Sequence, residues 1–283
     1  MEPNRYRTIW ISDLHLGIRA AKTSFVLDFL QKNAADRYYL VGDIVDGWAL
    51  QRSWHWPEGH NDVIQALLDR AREAEVTYIP GNHDEAARRF PGIRLGGIEI
   101  QRQATHTTAD GRRFLVLHGD EFDGVIRHAR WLSKLGAWAY SGTLRLNRAV
   151  NRVRRWLNQP YWSVSAYLKQ RTKRAVQFIA NFEHAVAERA RTRDVDGVVC
   201  GHIHQPAMRE IEGIQYVNTG DWVESCTALV EHRDGRLEIV RWIPADRGET
   251  TSVHCEAAGL SGLAPPSAGD GQATEADPTI STS

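Results

Sequence analysis

The sequence predicts an α/β sandwich, on three observations. Short β-rich runs alternate with helical runs through residues 7–119, as strand–helix–strand units do. A helical block over residues 121–194 interrupts the pattern, and strands resume at Val198. Five of the strands end on Asp, Asn or His, residue types that gather where a sheet presents its carboxyl ends.

Residues 8–11 (TIWI) read as the first strand. Residues 23–33 follow as a helix with Phe25, Val26, Phe29 and Leu30 on one side. Residues 38–41 (YYLV) form the second strand. Asn61 is placed to cap a helix over residues 62–74, where Val63, Ile64, Leu67, Leu68 and Ala71 keep the helical period. Residues 76–79 and 114–117 supply two more strands. Past the helical block, which breaks at Gln159-Pro160, residues 198–200 and 216–217 are strands. Residues 227–231 and 237–242 pair as a hairpin turning at Asp234-Gly235. After Glu256 the chain is Ala, Gly, Ser, Pro and Thr without a period, the composition of a disordered tail. The expected organisation is a core of residues 1–120 and 195–256, an inserted helical cap of residues 121–194, and a tail of residues 257–283.

At 283 residues and 42% hydrophobic content, the chain can fill a sizeable core. Its formal charge is zero, yet residues 121–193 hold fifteen Lys/Arg against four Asp/Glu, so one sector is strongly basic. Cys200, Cys226 and Cys255 are odd in number and include no C-x-x-C pair. That argues against a disulfide framework or a thiolate zinc site and fits a reducing compartment. The first residues are polar and no apolar stretch approaches the ~20 residues that span a bilayer. These signs predict a chain that is neither secreted nor membrane-spanning.

The strand ends carry the chemistry. In order they read Ser12-Asp13-Leu14-His15, Gly42-Asp43-Ile44-Val45-Asp46, Gly81-Asn82-His83-Asp84, His118-Gly119-Asp120 and Gly201-His202-Ile203-His204. In extended chain, Asp13 and His15 would leave on one face and grip a single ion, and His202 and His204 repeat the spacing. With Asp43, Asn82 and His118 there are seven oxygen and nitrogen donors, too many for one tetrahedral ion. Two cations sharing a carboxylate, about 3.5–4 Å apart, satisfy them and neutralise the otherwise costly charge of Asp43. The absence of cysteine ligands disfavours a structural zinc and favours Mn²⁺, Fe²⁺, Zn²⁺ or Co²⁺ in open sites, with Mn²⁺ the first expectation.

The ordered set D-x-H, G-D-x-x-D, G-N-H-D, H-G-D and G-H-x-H resembles the calcineurin-like metallophosphoesterases over residues 9–242. The resemblance implies a four-layer α/β/β/α sandwich, two sheets with helices outside. It also implies that Asp13, His15, Asp43 and His204 hold one metal, and Asp43, Asn82, His118 and His202 the other. A hydroxide between the cations would attack phosphorus in line, its pKa lowered towards ~7. His83 would stabilise or protonate the leaving oxygen, with Asp84 orienting it. Asp46 is expected to organise the loop. Loop capping or a turn hydrogen bond is an equal reading for Asp84 and Asp46; Asp120 also reads as a structural acceptor, and Cys200 as a small buried group. His55, His60, His106, His128, His184, His232 and His254 lack ligand spacing and read as solvated or locally bonded.

The basic block interleaves its cations with Trp131, Trp138, Trp156 and Trp162. That combination fits a lid lying on an anionic membrane surface. Nucleic acid would attract the same cations, but no nucleic-acid partner is expected. The insertion, the stretch Asn218-Thr219-Gly220-Asp221-Trp222 and the final hairpin resemble more narrowly the bacterial UDP-2,3-diacylglucosamine pyrophosphatases of lipid A synthesis. This resemblance implies a lipid-linked nucleotide substrate cut to UMP and a diacylglucosamine 1-phosphate at the cytoplasmic face of the inner membrane. It also makes Lys169, Arg171 and Arg174 candidates for gripping substrate phosphate. Typical members carry Arg where this chain has His83. Other readings are a phosphoesterase for a soluble nucleotide, and a binding scaffold, which would predict broken ligand motifs.

Overall fold

The computed structural model describes residues 3–123, 164–244 and 251–254, with the backbone alone for 164–175 and 251–254. Two sheets lie face to face. The first is built on three parallel neighbours, β1 (Asn4–Ile11), β2 (Asn33–Val41) and β3 (Glu75–Ile79). It extends through β5 (Ile98–Ile100) to β4 (Arg94–Leu95) on one side. On the other side it runs through β11 (Thr227–Glu231) and β12 (Leu237–Ile243) to β13 (Thr251–His254). The second sheet has β7 (Arg113–Val116), β8 (Gly197–Cys200) and β10 (Ile214–Asn218) parallel at its centre. Its edges are the antiparallel β6 (Ala104–Thr107) and β9 (Ala207–Ile211).

Alternation along the strands makes the layers, because successive side chains leave on opposite faces. Trp10, Tyr39, Val41, Phe114, Val116, Val199, Val217 and Leu229 meet in one buried cluster between the sheets. Their neighbours Ile9, Ile11, Tyr38 and Leu40 face outward onto α1 (Thr23–Lys32) and α3 (Glu58–Glu73). On the far side, Leu115, Leu117, Val198, Cys200 and Tyr216 pack under Phe182, Val186, Ala187 and Ala190 of α4 (Val164–Arg191). The four-layer α/β/β/α expectation therefore holds. The second half of α4, although it lies within the inserted block, forms the outer layer of the core. Among the described residues no helix is long and apolar enough to cross a membrane.

Local differences from the sequence reading have simple causes. Helix α3 starts at Glu58 after Pro57, not at an Asn61 cap; Asn61 instead accepts from Trp56 Nε1 at 2.7 Å. Pro57 stands at the N-cap with its ring holding φ at −67°, which supplies the helix start in place of an Asn61 cap. The hairpin turns at Gly235, with φ of 89°, as expected. His106 and His60 keep to the locally bonded reading, and both are buried. His106 bonds Glu231 at 2.9 Å, and His60 Nδ1 accepts from Gly17 N at 3.1 Å.

Candidate metal centre

Parallel strands deliver their carboxyl ends to one edge, so β1, β2, β3, β7 and β8 bring all five motifs to the same place. The loops continue the ladder beyond the strands: Asp13 N donates to Gly42 O at 3.0 Å, His15 N to Asp43 O at 2.9 Å, and Gly201 N to His118 O at 3.1 Å. Behind them the Asn218–Asp221 loop acts as a brace. Asn218 Nδ2 donates to Gly201 O at 2.7 Å, and the Thr219 and Ser12 hydroxyls meet at 2.6 Å.

Asp13 and His15 do converge, but not through the alternation of an extended chain. Asp13, His15, Asp43, His202 and His204 all have positive φ, between 49° and 73°. Such a backbone costs a non-glycine residue on the order of 1 kcal/mol or more, and clusters of it mark sites that the surrounding fold holds in place. Gly81 permits a close approach. A Cβ there would stand 2.2 Å from Asp43 Oδ1 and 2.7 Å from His118 Nε2.

Asp43 sits at the middle of the cluster. Its Oδ1 faces His118 Nε2 at 3.4 Å and accepts from His83 N at 2.9 Å. Its Oδ2 faces His15 Nε2 and His83 Nε2, each at 3.8 Å. The two oxygens thus address opposite halves of the site. In one half, Asp13 Oδ1 lies 3.1 Å from His204 Nε2, and the Nε2 atoms of His15 and His204 are 3.1 Å apart. In the other, the His118 and His202 rings stand 5.0 Å apart. Asn82 is buried at the end of β3, within the same motif as His83.

The donors fit cations. Asp13, His15 and His204 can place ligand atoms within 4.8 Å of one another; so can Asp43, His118 and His202, and so can His15, Asp43 and His83. Asp13 Oδ1 and His118 Nε2 are buried without a well-formed hydrogen bond. The far nitrogen of each of three imidazoles has a partner, as ligating histidines generally do. His118 Nδ1 donates to Val41 O at 2.9 Å, His15 Nδ1 to Asp46 at 3.1 Å, and His202 Nε2 lies 2.6 Å from Asp123 Oδ1.

Electrostatics agree. Burial pushes the Asp43 carboxyl up, but His118, His15 and His83 outweigh it and hold the group well below the usual carboxylate range. Asp13 is lowered as well, His204 overcoming burial. Burial opposes a proton on His118, yet Asp43 and then Asp13 raise its pKa to about 10. Such a cluster holds positive charge, as protons or as a metal ion that displaces them.

The second carboxylates separate in role. Asp46 Oδ1 lies 2.9 Å from His83 Nδ1 while Oδ2 takes His15 Nδ1, and Oδ1 also caps α2 (Gly47–Arg52) through Ala49 N at 2.8 Å. The orienting contact on His83 expected of Asp84 therefore comes from Asp46. Asp84 accepts from Ile44 N at 2.8 Å and Gly81 N at 2.5 Å, tying the two loops together. Asp120 is held by Arg88 through two hydrogen bonds of 2.6 and 2.9 Å. Cys200 is buried, and its thiol is pushed up to about 12. Sequence reading missed Asp123, whose signal is its place three residues past Asp120, and Trp48, which stands two residues past the second motif. The side chains of Lys169, Arg171 and Arg174, and the residues Trp131, Trp138, Trp156 and Trp162, lie outside the described residues.

Five polar motifs, from strands of both sheets, gather at one end of the sandwich around a carboxylate that faces two ways, a donor set that could hold metal ions. The calcineurin-like phosphoesterase family profile matches residues 6–206, and the chain belongs to that family of hydrolases. A UDP-2,3-diacylglucosamine hydrolase of Yersinia enterocolitica is 26% identical over 219 residues, 72% of this chain and 85% of that protein. The protein of the same description from Yersinia pestis is 27% identical over 225 residues, with the same coverage of 72% and 85%. Among solved structures, Yfce, a phosphoesterase from E. coli, matches 87% of this chain and 97% of its own at 15% identity and a TM-score of 0.42, a likeness too weak to bear on function.

Proposed function

We propose that this chain hydrolyses the pyrophosphate of UDP-2,3-diacylglucosamine, giving UMP and 2,3-diacylglucosamine 1-phosphate. One observation carries the chemistry: Asp43 turns one oxygen to His118 and the other to His15, which suits a carboxylate shared by two ions. Asp13, His15, Asp43 and His204 would hold one divalent cation, and Asp43, Asn82, His118 and His202 the second. When bound, the ions would make water nucleophilic near neutral pH and neutralise phosphoryl charge, with Mn²⁺ the first candidate.

The chain's own residues do the rest. Asp46 Oδ1 lies 2.9 Å from His83 Nδ1, and Nε2 is directed at the centre, 3.8 Å from Asp43. His83 can there hold a proton for the departing oxygen. Its side chain is 20% exposed, open enough to meet a substrate. Backbone N–H groups from His202 and His83 hold Asp13 and Asp43 at 3.0 and 2.9 Å, so the carboxylates need no rearrangement on binding. The substrate is supported by the two Yersinia relatives and by the basic, Trp-bearing insertion, which suits contact with an anionic membrane surface on the cytoplasmic side.

The test is a product assay on UDP-2,3-diacylglucosamine with Mn²⁺, comparing the wild type with Asp43→Ala. UMP from the wild type alone supports chemistry and substrate together. Hydrolysis of bis(p-nitrophenyl) phosphate without release of UMP would overturn the lipid substrate and leave the phosphoesterase.

A further inference from the structure

Trp48 stands beside the centre in a position that the chemistry above does not use. Its indole covers the His83 imidazole, with ring centroids 4.2 Å apart at 36°, and it remains 41% exposed. One part of the ring supports the histidine while the rest faces solvent at the edge of the site. A single exposed tryptophan is ordinary on a protein surface. This one is built into place.

Two hydrogen bonds and one close backbone approach hold it. Asp46 caps the helix that carries Trp48 by accepting from Ala49 N. Gly47 N donates to the His83 carbonyl at 3.0 Å. A Cβ at Gly47 would stand 2.8 Å from that same oxygen, so only glycine lets α2 begin in backbone contact with the His83 loop. Asp46, Gly47 and Trp48 therefore meet the Nδ1 atom, the carbonyl and the ring face of one histidine.

We propose that Trp48 determines leaving-group specificity: its exposed indole is the platform for a ring-bearing leaving group. This rests on the reading of His83 given under Proposed function. The oxygen that His83 meets lies within reach of Nε2, and whatever that oxygen carries extends over the adjoining surface. That surface is the indole, which is flat, apolar and rich in π density. It prefers a partner ring in offset or edge contact, whether aromatic, a nucleobase or the apolar face of a sugar. Inorganic phosphate is too small to touch it.

The experiment titrates inorganic phosphate and phenyl phosphate calorimetrically into the full chain reconstituted with Mn²⁺. The wild type binds the phenyl ester about 3–10-fold tighter, the increment expected of one aromatic contact. Trp48→Ala abolishes that preference while retaining affinity for inorganic phosphate, and Trp48→Phe restores most of it. In turnover of bis(p-nitrophenyl) phosphate, Trp48→Ala raises KM by more than it lowers kcat. The proposal is overturned by equal affinities in the wild type, by a preference that survives in Trp48→Ala, or by parallel loss of both anions, which would make Trp48 a support for the fold alone. A wild type that binds neither anion overturns the phosphoesterase reading and this proposal together; one that binds inorganic phosphate without preferring the ester overturns only the role of Trp48.

Discussion

Replacing Glu231 by Gln tests how the two sheets are tied together. The carboxylate is buried at the end of β11 and accepts from Arg7 Nη1 at 2.6 Å, Thr8 Oγ1 and Ala109 N at 2.8 Å, and His106 Nε2 at 2.9 Å. Arg7 and Thr8 belong to the first sheet, whereas His106 and Ala109 come from the second sheet and its following loop. Burial alone would raise this carboxyl. The hydrogen bonds from His106, Thr8 and Ala109 outweigh it and lower the pKa from 4.5 to about 2. At about 1.4 kcal/mol per pH unit, that fall corresponds to roughly 3 kcal/mol. The folded-state pKa lies below the unfolded one, so the contribution is fully present above about pH 4.5 and drains away as pH falls towards 2. Urea unfolding of wild type and Glu231→Gln should therefore differ by roughly 3 kcal/mol at pH 7, with the gap narrowing below pH 4.5. Equal stability at pH 7, or a gap that stays constant down to pH 3, would refute the reasoning.

The remaining predictions concern the centre. A cation present at about 100 times its Kd adds roughly 2.7 kcal/mol, so Mn²⁺ should raise the Tm of the chelator-treated protein by about 5–10 °C in scanning calorimetry. An unchanged Tm would contradict the fit of the donors to metal. Asp46→Ala frees both His15 and His83 and should lower kcat/KM or metal affinity about 10–100-fold, with Asp46→Asn losing less; wild-type values in steady-state kinetics and metal titration would count against its role. Cys200 should stay inert to a thiol reagent until the chain is unfolded, because its thiol is buried and pushed up to about 12. Labelling of Cys200 in the native state would show that β8 opens.

Much of this was legible in the sequence because it is local. Strand-end motifs such as G-D-x-x-D and G-H-x-H name their donors and their place in the fold within five residues. The alternating apolar runs at Trp10 and Tyr39 likewise mark both faces of a central strand. The edge strands gave no such signal: β4 (Arg94–Leu95) is wholly exposed, β6 alternates in burial but through Ala, Thr and His rather than an apolar run, and β9 does not alternate. The pairing of Asp46 with His83 was hidden for another reason. It depends on two loops 37 residues apart crossing beside Asp43, and Asp84, the neighbour in sequence, is drawn off by the amides of Gly81 and Ile44. Left-handed backbone at Asp13 and His15 also overrode the extended geometry that their spacing implied. His106 and Glu231 satisfy one another across the sheets, which no single segment reveals.

Metal content per chain tests the shared carboxylate most directly. Chain reconstituted with Mn²⁺, freed of excess ion and measured by elemental analysis should hold two ions, and Asp43→Ala no more than one, because the residue facing both halves is gone. A wild type saturating at a single ion, or an Asp43→Ala variant that still binds a pair, would contradict a centre organised around Asp43.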